Sequence, residues 1–63
     1  MVGNLKLRLA LLEAGVRQKE LELLSGIAQP VISQIITGRM APTTEEKIRI
    51  AKALNKKIEE LFS

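Results

Sequence analysis

Apolar residues recur three and four apart along most of this chain and β-branched clusters are short, so the pattern predicts helices throughout and little strand. Gly15, Gly26, Gly38, Pro42 and Asn55 punctuate it into five segments. The first helix is expected from Leu5 to Ala14, with Asn4 as N-cap and Gly15 as the left-handed residue that ends it. Leu7, Ala10, Leu11 and Ala14 make one face, and Leu5, Leu9 and Leu12 make a second stripe beside it. That is more apolar surface than a helix with a single neighbour needs. The second helix, Gln18 to Ser25, stops at Gly26 and turns Leu21 and Leu24 inward. The third starts at Gln29 with Pro30 in its first turn, where a missing N–H breaks no helical bond; Ile32, Ile35 and Ile36 face inward and Gly38 ends it. Thr43 and Glu46 fit a capping box, so the fourth helix starts just after Pro42, with Ile48, Ala51 and Leu54 inward and Asn55 as its stop. A short last helix, Ile58 to Phe62, is expected to lay Ile58, Leu61 and Phe62 over the second stripe of the first.

Length and composition narrow what such a bundle can do. Sixty-three residues, with no repeat and no linker, are expected to form one domain over residues 1–63. A chain of this size buries only roughly 60% of the surface it exposes when unfolded, so any function shares the one core. The absence of His and Cys removes imidazole and thiolate ligands, histidine bases and cysteine nucleophiles, and no Ca²⁺ loop is present. No cofactor, no metal and no enzymatic activity are therefore expected. Glu45–Glu46 and Glu59–Glu60 read as charges at helix starts rather than as paired catalytic acids. Phe62 is the only aromatic ring, which leaves no stacking platform for single-stranded nucleic acid. No apolar run approaches a membrane span and no signal peptide is evident, and without disulfides the cytoplasm is the expected compartment.

The net charge of +3 is ordinary, but its distribution is not. From Gln29 to Ile36 there is no charged residue, while Lys6, Arg8, Arg17 and Lys19 precede this stretch and Arg39, Lys47, Arg49 and Lys52 follow it. Two short helices joined by a Gly-containing turn have the layout of a helix-turn-helix. The stretch QKELELLSGIAQPVISQI, residues 18–35, resembles that motif of the phage repressor and Cro family, also called the Xre family. The resemblance continues through Gly38-Arg39-Met40-Ala41-Pro42, Ile50-Ala51-Lys52-Ala53-Leu54 and Glu59-Glu60-Leu61-Phe62, so it spans about Leu5 to Phe62.

That resemblance implies an all-α, five-helix bundle like the DNA-binding domains of phage repressors, with double-stranded DNA as partner. It further implies a homodimeric repressor on a two-fold operator, acting alone as Cro-like proteins do or beside a separate regulatory chain. Carried over position by position, Gln29, Pro30, Ser33 and Gln34 contact bases, and Arg17, Gln18, Lys19 and Arg39 contact phosphates. Glutamine presents the donor and acceptor that pair with adenine N6 and N7. Leu9, Leu12 and Phe62 are the expected dimer contact. Pro30 departs from the family's usual polar residue, and Glu22 stands where a small residue normally lets the two helices approach. Leu11 and Ile36 occupy the positions of a frequent buried ion pair, which predicts that they meet in the core. Pro30 and Glu22 favour the alternative, a helical protein-interaction module that kept the fold without DNA binding.

Overall fold

The computed structural model describes residues 4–62. They form five helices in the order α1 (Leu5–Ala14), α2 (Gln18–Ser25), α3 (Gln29–Thr37), α4 (Thr44–Ala53) and α5 (Ile58–Phe62), with no strand among the described residues. Local chemistry places each boundary. Asn4 is extended, and its side-chain oxygen accepts the Leu7 N–H at 3.0 Å, satisfying one of the free donors of the first turn of α1. Gly15, Gly26 and Gly38 end α1, α2 and α3 at φ of +69°, +75° and +82°, a region that side chains with a Cβ enter at a cost. After Gly38 the Arg39 N–H folds back to the Gln34 carbonyl at 2.9 Å, so the chain turns tightly over the end of α3. Thr43 and Glu46 complete the capping box of α4, their side chains accepting each other's backbone N–H at 3.1 and 2.9 Å. Asn55, at φ +55°, makes the turn beyond α4 that a glycine makes elsewhere.

One core holds these pieces together. Leu7, Leu21, Ile32, Ile50 and Leu61 are its fully buried side chains, one from each helix. α2 packs on both α3 and α4, while α1 packs on α5 and α3 and α4 also meets α5. Leu11 and Ile36 are both buried members of this core. Glu22 is half-buried, and α2 and α3 pack together in its presence.

Four expectations about faces need correction. Ala14 is exposed, because only Leu7, Ala10 and Leu11 of α1 reach the core before the helix ends. Leu24 is 58% exposed, and Ser25 takes the inner place instead. The serine tolerates burial because its hydroxyl donates to the Leu21 carbonyl at 2.6 Å and accepts the Ile27 N–H at 3.2 Å. On α4, Ile48 is 40% exposed and Ile50 is fully buried. At 3.6 residues per turn these two point about 200° apart, so the helix can bury only one beside Ala51 and Leu54. Finally, α5 does not cover the second stripe of α1. Leu61 enters the core, and Leu5, Leu9 and Leu12 all stay exposed.

Asn4 does more than cap. Its side-chain amide donates to the Leu61 carbonyl at 2.8 Å and its backbone N–H donates to the Ile36 carbonyl at 2.8 Å, tying the start of α1 to α5 and to α3. Asn4→Ala removes the cap and the tie to α5 together, so an unfolding loss of about 1–3 kcal/mol is expected by urea titration, with Asn4→Asp recovering only the capping share.

Candidate nucleic-acid interface

The side of α3 that faces away from the core is set by its isoleucines. With Ile32, Ile35 and Ile36 buried, Gln29, Pro30, Gln34 and Thr37 are left exposed and Ser33 half-buried. Gln29, Ser33 and Thr37 follow one another four apart, and Pro30 and Gln34 form a parallel row, so the four residues expected to meet bases share one helix surface. Gln29 and Gln34 are separated by about 7.5 Å along the axis, roughly two base-pair steps of B-DNA. Thr37 was not among the expected contacts, although its polar character at helical spacing signals the same row. Its hydroxyl is turned back, donating to the Ser33 carbonyl at 3.0 Å and the Gln34 carbonyl at 3.3 Å.

The start of α3 has no side-chain cap at Ala28 and no acidic residue in its own first turn. Glu45 and Glu46 of α4 share a hollow with Ala28 and Val31, so carboxylates from a neighbouring helix stand near the positive end of this dipole.

The expected phosphate contacts sit on both flanks of this surface. Arg17 and Lys19 are exposed at the start of α2, and Gln18, its first residue, is half-buried. The Glu20 carboxylate accepts the Arg17 backbone N–H at 3.0 Å, which forms half a capping box because an arginine side chain has no acceptor to complete it. The Arg17 guanidinium is therefore left to reach outward. Arg39 is exposed in the turn directly after Gly38. Among the described residues none of Arg17, Lys19 and Arg39 is in an ion pair. Arg49 differs. It is bound to Glu45 at 2.8 Å, and its guanidinium lies over the Gly26 turn, 3.5 Å from where a Cβ there would stand.

The expected dimer residues are less uniform. Leu9 and Leu12 are exposed on α1, Leu12 to 72%, whereas Phe62 is half-buried against the core. Leu5 was not among them, yet it shares a hollow of about 400 Å³ with Phe62 and so links that ring to the α1 stripe. Among the described residues no cluster of acidic side chains could hold a metal ion, and no helix is long and apolar enough to cross a membrane.

Comparison with known proteins agrees with this fold. The model of a family described as helix-turn-helix matches residues 7–61. An uncharacterized HTH-type transcriptional regulator of Haemophilus influenzae is 39% identical over 44 residues, which is 70% of this chain and 45% of that protein. The chain thus matches less than half the length of that relative. Among solved structures, the restriction-modification controller protein C.AhdI from Aeromonas hydrophila superposes with a TM-score of 0.86 at 26% identity, over 90% of this chain and 86% of that one.

Proposed function

This chain belongs to the helix-turn-helix family of the phage repressor and Cro type, and from that premise we propose that it is a sequence-specific regulator of transcription that binds double-stranded DNA. The observation that carries the reading is α3 itself: a nine-residue helix with an uncharged, glutamine-bearing outer surface between exposed cations at the start of α2 and after Gly38. Such a surface draws little general attraction to DNA, so its affinity for a sequence rests on fit to base edges, while the flanking charges supply the hold on the backbone. In this reading Gln29, Pro30, Ser33 and Gln34 meet bases, the proline ring packing on a thymine methyl. Arg17, Gln18, Lys19 and Arg39 meet phosphates.

The molecule acts as a homodimer on a two-fold operator, in the cytoplasm and without cofactor or catalysis, and represses by occupying the site. What supports the dimer is the exposed row Leu5, Leu9 and Leu12 on α1, continued by the hollow at Phe62. A two-fold axis brings the same row of both protomers together and spaces two α3 helices about one turn of DNA apart.

Selection of bound duplexes from random DNA, followed by two substitutions, tests the reading. Gln29→Ala is expected to cost about 1–3 kcal/mol on the selected sequence and to relax preference at one base position. Arg39→Ala is expected to weaken selected and unrelated duplexes alike. If neither the wild type nor the variants bind any duplex at low salt, the DNA reading fails and the interaction-module alternative stands.

A further inference from the structure

The most exposed leucines outside α1 lie side by side on α2: Leu23 at 81% and Leu24 at 58%. Single leucines on a surface are ordinary, but Leu24 lines a structured hollow. Leu24, Ser25, Arg49, Lys52 and Ala53 line a space of about 380 Å³ between α2 and α4. Its floor is apolar, since Ala53 packs on the core and the Ser25 hydroxyl is closed onto its own backbone. Its rim is cationic, because Arg49 and Lys52 stand three apart on α4 and so neighbour each other on that helix.

The acids of the two helices cancel this rim only in part. Arg49 is already paired with Glu45, while Glu20 is turned to the Arg17 backbone at the other end of α2, Glu46 to the Thr43 backbone at the start of α4, and Glu22 is half-buried. Among the described residues Lys52 is in no ion pair. A nucleic-acid backbone at this place would use Lys52 and leave Leu24 in water. A basic segment would meet like charge.

We propose that the hollow between α2 and α4 docks an amphipathic helix of a protein partner, one that carries carboxylates beside aliphatic side chains. The aliphatic groups cover Leu24 and Ala53, and the carboxylates reach Lys52 and the outer edge of Arg49, in the manner of a helix laid in a groove. Leu24 stands six residues beyond Gln18, about 9 Å along the α2 axis, so an occupant there leaves the start of α2 accessible. This inference does not depend on DNA recognition.

The test uses the full chain and two labelled synthetic helical peptides, one with Leu and Glu at helical spacing and one with Lys in place of every Glu, measured by fluorescence anisotropy. Binding of the Glu peptide is expected, weakening as salt rises, with little binding of the Lys peptide. Lys52→Glu and, separately, Leu24→Glu should each raise the Kd of the Glu peptide at least tenfold while leaving helicity by circular dichroism unchanged. Absence of Glu-peptide binding at low salt, equal binding of both peptides, or variants that bind as the wild type does would each overturn the proposal. So would sedimentation showing that Leu24→Glu turns a dimer into a monomer, which would give the hollow to a second copy of this chain.

Discussion

Replacing Leu21 by alanine is expected to lower the unfolding free energy by about 2–5 kcal/mol. Leu21 is fully buried on α2, the helix that packs on both α3 and α4, so its side chain fills the space where three helices meet. Truncation leaves a cavity that short, separately capped helices can collapse only in part. At the usual 0.05–0.15 kcal/mol per residue, a domain of this length has about 3–9 kcal/mol in total, so the variant loses a large share of its stability and is partly unfolded at 37 °C. Urea titration followed by circular dichroism measures this as a lower midpoint at unchanged slope. Leu23→Ala, two residues along the same helix and mostly in water, is the control, with an expected change within about 0.5 kcal/mol. Equal losses from the two substitutions would contradict the assignment of Leu21 to the core.

The second large effect is on binding. Affinity for the selected duplex is expected to fall by about a thousandfold between 50 and 200 mM salt. The estimate follows from Arg17, Lys19 and Arg39, which give six phosphate-facing cations in a dimer; at about −0.9 per neutralised phosphate the logarithmic slope is about −5, applied to a fourfold rise in salt. Leu12→Glu places a carboxylate in the exposed α1 row of each protomer and should separate them, cutting the slope to about half. A slope near zero for the wild type would remove the phosphate-holding role from these three residues. A slope unchanged by Leu12→Glu would move the dimer contact away from α1.

The residues that correspond to the motif were legible because the helix-turn-helix is built from local rules. Gln29, Pro30, Ser33 and Gln34 stand on the accessible side of α3 because three isoleucines at fixed spacing claim the other side. Thr37 continues the same row at the far end of the helix, beyond the N-terminal residues that the resemblance assigns to bases. Of the stripe that the last helix was expected to cover, only Leu5 shares a hollow with Phe62, where the packing of α1 on α5 brings together residues 57 positions apart.

What the amino-acid sequence by itself determined was where each helix begins and ends. Those boundaries depend on groups a few residues apart: the Asn4 oxygen on the Leu7 N–H, the Thr43–Glu46 exchange, and glycines at positive φ. What only the tertiary structure decided was which of two nearby residues on a helix goes inward. Ser25 rather than Leu24 and Ile50 rather than Ile48 are buried, and the Leu5–Leu9–Leu12 row stays in water. The periodicity of a helix defines its stripes equally well for either choice. The angle at which the other helices cross it selects one of them, and that angle is a property of the whole core.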